Sequence, residues 1–150
     1  MNRVFYIFRH GETDWNKDRR CQGHTNTPLN QNGLLQAMEL AERMMNVPLE
    51  IVVTSDLERA LITGKTVAEK KAVPLLVDSR LREMSYGQAE GMLFEEAIES
   101  FGTELWQKLQ SFKKENDHVG FPGGETRKMA RERFMEVLHH LLESTDHQHI

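Results

Sequence analysis

Arg9 and His10 end an apolar run in the stretch VFYIFRHGETDWN. Arginine presents a planar fork that matches carboxylate or phosphate oxygens, and a neutral imidazole offers a lone pair on one ring nitrogen. Further along stand Arg59, in SDLERA, and Glu83, in LRE. Two guanidiniums, an imidazole and a carboxylate are the types that hold anions and move protons. Singly, each has a plain reading. An Arg-His pair can close a strand in solvent, Arg59 can pair with Glu58 or Asp56 on a helix surface, and Glu83 is one carboxylate in a loop. Joint action requires elements that carry all four to one place.

The pattern of the chain supplies such elements. Residues 3–9 combine aromatic and β-branched side chains with no turn former, which predicts a strand buried on both faces. A polar stretch with Gly23, Asn26, Pro28 and Asn30 reads as a loop. Asn30 then caps a helix to about residue 45, with Leu34, Ala37, Met38, Ala41 and Met45 on one face. Residues 50–54 give a second strand. Ser55 or Asp56 caps the next helix, which turns Ala60, Leu61, Gly64, Val67 and Ala68 inward. Residues 74–77 give a third strand. One or two helices follow over residues 92–114, with Phe94, Ile98, Phe101, Leu105, Trp106 and Leu109 as the buried set. The longest helix covers residues 125–143, opened by Gly123-Gly124-Glu125-Thr126 with Glu125 in its first turn, and places Ala130, Phe134, Val137, Leu138 and Leu141 at helical spacing.

Strands alternating with helices predict an α/β fold: a three-layer, mostly parallel sheet with helices on both faces, in a single domain over residues 1–150. Ligands collect outside the carboxyl ends of such strands. Arg9 and His10 close the first strand, residues 55–59 follow the second and residues 81–83 the third. All four reactive side chains therefore meet on one rim.

Composition removes other classes. Nineteen Lys and Arg against 23 Asp and Glu give a net charge of −4, with no long block of either sign, so no nucleic-acid surface is expected. The longest apolar runs are far short of a bilayer span and the N-terminus has no secretory pattern, so a cytoplasmic protein with no membrane association is expected. The single cysteine, Cys21, agrees with a reducing compartment. A cysteine phosphatase would need an arginine six positions on, where Thr27 stands. His139, His140, His147 and His149 have no Cys or carboxylate set at ligand spacing, so no metal is expected. Glycine-rich nucleotide loops are absent.

The segments FRHGETDWN, CQGHTNTPLNQNG, VVTSDLERA, LREMSYGQAEG and FPGGET occur in this order over nearly the whole chain. In this they resemble the histidine phosphatase superfamily, which includes the cofactor-dependent phosphoglycerate mutases and many small-molecule phosphatases. The resemblance implies that His10 is a nucleophile forming a phosphohistidine, that Arg9 and Arg59 grip the phosphoryl oxygens, and that Glu83 is the proton donor to the leaving oxygen. It also implies a phosphate contact from Asn16 and a substrate loop containing Gln22 and Gly23. No cofactor is implied. The substrate is a small-molecule phosphate ester, and the connection over residues 88–122 is a helical insertion that sets specificity. That connection is short, as in the compact phosphatases, which favours phosphomonoester hydrolysis over mutase transfer. A catalytically dead phosphate-binding or interaction module is the third reading.

One departure stands out. Family members carry a second histidine, at the end of a later strand beside the first. His149-Ile150 resembles the beginning of that strand, and none of the seven histidines stands in the required context. The expectation is an N-terminal part of a longer protein, a sheet incomplete at its C-terminus, impaired activity, and self-association through an exposed sheet edge.

Overall fold

The computed structural model describes residues 3–111 and 113–150. Its helices are α1 (Asp14–Lys17), α2 (Gln31–Met44), α3 (Glu58–Lys71), α4 (Phe94–Phe101), α5 (Thr103–Gln110) and α6 (Arg127–Ser144), and its strands are β1 (Val52–Thr54) and β2 (Leu75–Val77). β1 and β2 pair in parallel, Val52 against Leu75 through Thr54 against Val77. Position 112, in the stretch expected to continue helical to residue 114, lies outside the described residues.

Residues 3–9 are extended, but only the first part is paired. The Val4 N–H donates to the Gln148 carbonyl at 2.8 Å, the Ile150 N–H to the Val4 carbonyl at 3.0 Å, and the Tyr6 N–H to the Ile150 carbonyl at 2.8 Å. Val4 thus forms a parallel bridge with His149. On its other side residue 149 meets the second strand, because the Glu50 N–H donates to the His149 carbonyl at 2.9 Å. Across the sheet the order is residues 4–6, residues 148–150, β1, β2.

Side chains alternate across this layer as a pleat requires. Tyr6, Phe8 and Val52 pack with Ala41, Met44, Val67 and Ala68 of α2 and α3. Phe5, Ile51, Val53 and Ile150 pack with Val137 and Leu141 of α6 on the other face. Helices therefore cover both faces, as expected of the α/β class. A third cluster, around Cys21, Ala89, Ala97 and Phe121, joins α4 and α5 to the loops.

Three local expectations need correction. The first strand is not buried on both faces: Ile7 is 79% exposed. Residues 148–150 pair with residues 4–6, and Ile7 lies beyond that pairing. The inward face of α2 is Gly33, Ala37, Ala41 and Met44, whereas Leu34, Met38 and Met45 are exposed. Gly33 belongs to this face because the backbone of Gly11 and Glu12 lies against it. Finally, α3 is capped not by Ser55 or Asp56 but by Asn26, whose Oδ1 accepts from the Glu58 N–H at 2.8 Å.

Between residues 5–10 and residues 51–55 lies a cavity of about 190 Å³, with Ile150 at one end and His10 among its lining residues. Val52 and Thr54 spend their backbone groups on β2. By strand alternation Ile51 and Val53 turn theirs toward the cavity. No membrane-length apolar helix occurs among the described residues.

Candidate active site

The loop after residue 9 is held by backbone contact rather than by side chains. A Cβ on Gly33 would lie 2.0 Å from the Glu12 carbonyl oxygen, and one on Gly11 2.3 Å from the Gly33 oxygen. Only glycine at both positions lets α2 approach so closely. Asn30 accepts from the Gly33 N–H at 2.8 Å and so fixes the start of α2 against this loop. From the other side, the Gly11 N–H donates to Thr63 Oγ1 at 3.1 Å, and Thr63 Oγ1 donates to the Arg59 carbonyl at 2.8 Å. Arg59 and Thr63 are one turn apart on α3, so a single helix face delivers both to His10.

His10 Nδ1 lies 2.6 Å from the Gly11 carbonyl oxygen. A carbonyl only accepts, so Nδ1 carries the proton, and in the neutral ring the lone pair is left on Nε2. Arg59 Nε donates to that Nε2 at 3.3 Å. Burial depresses the His10 pKa below its ordinary value; the Gly11 bond and Glu83 oppose this, while Arg59 and Arg9 reinforce it.

Arg59, 1% exposed, is the hub. Beyond His10 it donates to the Thr25 carbonyl at 2.8 Å, the Gly23 carbonyl at 2.7 Å and Glu83 Oε2 at 3.2 Å. Its fork is thus largely spent on protein acceptors. Arg9 is exposed and has no hydrogen-bond partner among the described residues, which leaves its guanidinium available to an incoming anion. Glu83 Oε1 accepts from the Tyr86 hydroxyl at 3.2 Å. Burial pushes the Tyr86 phenol well above its ordinary pKa, so it stays a donor.

A second cavity, about 120 Å³, is lined at its polar end by Arg9, Asn16, Gln22 and Glu83. The side-chain oxygens of Asn16 and Gln22 are already engaged: Asn16 Oδ1 accepts from the Thr13 N–H at 3.1 Å, and Gln22 Oε1 accepts from the Thr13 hydroxyl at 2.9 Å. Both amides therefore have their NH₂ groups left to donate. Gly23, at φ +54, contributes its carbonyl to Arg59, and a Cβ there would lie 2.4 Å from Glu90 Oε1. The predicted site residues are thus brought together, with one division: His10 borders the larger cavity, and Arg59 joins it to the smaller one.

Several supporting residues were not legible in the sequence. Glu90 accepts from the His24 and Tyr86 N–H groups and from the Thr25 hydroxyl, which ties the 22–25 loop to the segment after Glu83. Arg133 of α6 donates to the Glu83 carbonyl at 2.7 Å and to both oxygens of Glu125, at 2.8 and 2.7 Å. Glu125 lies before the Thr126 cap and not in the first turn of α6, and Arg133 pulls its pKa down to about 2. Arg133 sits in a helix rich in charged residues, and nothing in its spacing marks it. Among the described residues no three His, Cys, Asp or Glu side chains converge as a metal cage requires.

Known proteins are similar to this chain in sequence and fold. Phosphatase PhoE of Bacillus subtilis, itself named as uncharacterized, is 35% identical over 113 residues, covering 75% of this chain and 58% of that protein. A protein named probable phosphoglycerate mutase GpmB, from Salmonella choleraesuis, is 33% identical over 138 residues, 92% of this chain and 62% of its own length. The mycobacterial glucosyl-3-phosphoglycerate phosphatase, solved with VO3, superposes with a TM-score of 0.81 at 29% identity over 90% of this chain and 62% of that one. Bacillus stearothermophilus YhfR gives 0.81 at 28%, covering 97% and 70%. The chain thus spans about three fifths of the length of the first two relatives. Residues 5–150 match the model of the histidine phosphatase superfamily, branch 1, and the chain belongs to that family.

Proposed function

We propose that this chain hydrolyses small-molecule phosphomonoesters through a phosphohistidine on His10. The carrying observation is the ring itself: Nδ1 is committed to the Gly11 carbonyl, and Nε2 is unprotonated beside the Arg59 guanidinium. An imidazole held in that tautomer is ready to attack phosphorus without first losing a proton. Arg9 and the amide groups of Asn16 and Gln22 receive the phosphoryl oxygens, and Arg59 stabilises charge as the P–O bond to the alcohol breaks. Glu83 gives a proton to the leaving oxygen and later takes one from the water that attacks the phosphohistidine.

Hydrolysis is favoured over mutase transfer by the short, helical connection between Glu83 and the Gly123-Gly124 turn. Mutase transfer remains the second reading, supported by the similarity to the GpmB protein. No metal or cofactor is required by these steps. The cavity beside His10 opens one flank of the site, and activity below that of longer relatives is expected. A cytoplasmic location fits the lone Cys21, whose thiol burial pushes up to about 11.

Rapid quench with ³²P-labelled p-nitrophenyl phosphate tests the reading. Acid-labile label is expected on His10, and none in His10→Ala. Label on another residue, or undiminished hydrolysis by His10→Ala, overturns it. Release of inorganic phosphate from p-nitrophenyl phosphate but only isomerisation of 3-phosphoglycerate would favour the mutase.

A further inference from the structure

We propose that the alcohol half of the ester is apolar and flat, seated between the polar end of the smaller cavity and an aromatic wall centred on Trp106. This rests on reading the Arg9–Glu83 end as a phosphoester site. The same cavity that holds Arg9, Asn16, Gln22 and Glu83 continues onto Tyr86, Phe94, Trp106, Leu109 and Phe121. The wall is built in two tiers. Phe121, 5% exposed, is the floor, fixed edge-on by Phe101 at 5.3 Å and Tyr86 at 5.9 Å between ring centroids. On it stand the half-buried Trp106 and Phe94, 5.1 Å apart and inclined at 50°.

A half-buried indole facing a cavity offers a large apolar plane at small entropic cost to a planar guest. A polyol or glycerate guest would instead need a hydrogen-bond partner for every hydroxyl it loses from water. At this end only Arg20 and Gln110 are polar. Arg20 is tied back to the Gly91 carbonyl at 2.9 Å, so it sits at the lip as a single contact rather than as a second anion clamp. The wall therefore selects by apolar area, and the arginine fork of Arg9 anchors the phosphate.

The test is calorimetric binding of three stable phosphonates to the intact chain: methylphosphonate, 3-phosphonopropionate and phenylphosphonate. The last is expected to bind at least about tenfold more tightly than the other two, the scale that apolar pocket complementarity supplies. Trp106→Ala should abolish that margin and leave methylphosphonate binding unchanged. Because Trp106→Ala loosens the Phe121 cluster, nuclear Overhauser contacts from the phenyl protons to the Trp106 indole in the native chain provide a second readout. Equal binding of all three ligands, a preference for 3-phosphonopropionate, or phenyl contacts to residues other than this wall overturns the inference alone. Failure of all three to bind overturns the phosphoester reading and the inference with it.

Discussion

At the scale of single residues, the site works by spending hydrogen bonds to set protonation. Burial first, then the two guanidiniums, holds the His10 pKa below 6.5. The neutral imidazole therefore persists into mildly acidic solution, and if His10 is the nucleophile proposed above, the acidic limb of kcat/KM for p-nitrophenyl phosphate is expected below pH 6.5; a limb near 7 or above contradicts the assignment. The stability sign is the same. The unfolded chain takes up the His10 proton first, so stability is full above pH 6.5 and is lost as pH falls through the folded value. Arg133 acts one step further back. Arg133→Met strips Glu125 of its bidentate partner and the Glu83 carbonyl of a donor, and a loss of about 3–5 kcal/mol in urea unfolding is expected for such a broken, mostly buried pair. Glu125 also predicts a pH signature. Its carboxylate is depressed from 4.5 to about 2, so the native chain loses stability as pH falls from 4.5 toward 2, and Arg133→Met should flatten that slope. An unchanged slope would show that Glu125 is not held by Arg133. The placement of His10 and Glu83 near Arg59 was readable because both stand in ordered motifs; Arg133 was not, since a clamp on backbone carbonyls leaves no motif.

Among the elements, the sequence told type better than orientation. All three extended segments and the long helices stand where periodicity puts them, because apolar alternation and caps such as Asn30 are local signals. The inward face of α2 differs from the one apolar size suggests, Leu34 and Met38, because close approach of the Gly11 backbone selects Gly33. That contact yields a contest of magnitudes. Glycine inside a helix ordinarily costs up to about 1 kcal/mol relative to alanine, so Gly33→Ala would be stabilising on propensity alone. Here the new Cβ meets the Glu12 carbonyl oxygen at 2.0 Å and the Glu12 nitrogen at 2.8 Å, both backbone atoms that cannot swing away. Overpacking of this kind costs about 1–3 kcal/mol and wins. Gly33→Ala is expected to lower the urea midpoint and, by displacing residues 10–12, to lower kcat more than its stability loss explains. A stabilised variant would show that the loop yields freely.

At the scale of the whole molecule, an apolar cavity between residues 5–10 and 51–55 forms a lane leading to His10. Residues 148–150 run parallel to residues 4–6, and the next rungs on either side are Phe8 and His10 on one flank and Val53 and Ser55 on the other. Two consequences follow from unpaired backbone beside apolar walls. Amide exchange should be faster at Phe8 and Val53 than at Tyr6, which is bonded to the Ile150 carbonyl. The outer edge, with Ile7 79% and Val4 40% exposed, invites pairing between copies; self-association is proposed, and sedimentation over a concentration series tests it. The lane itself can be probed by lengthening the chain. Four residues at about 3.3 Å each reach from Ile150 past Phe8 to His10. If they are β-branched, burial contributes about 1.5–3 kcal/mol apiece, and ordering costs about 1–2 kcal/mol apiece. The central values leave a net gain of roughly 3 kcal/mol for the four, or about 6–12 °C in Tm for a domain of this size. Appending Val-Thr-Val-Val after Ile150 is expected to produce that rise together with slowed exchange at Phe8 and Val53, because a strand in the lane satisfies both flanks at once. A rise in Tm without protection at those two amides would place the added residues elsewhere, and the space between residues 5–10 and 51–55 would then be a packing gap and not a strand position.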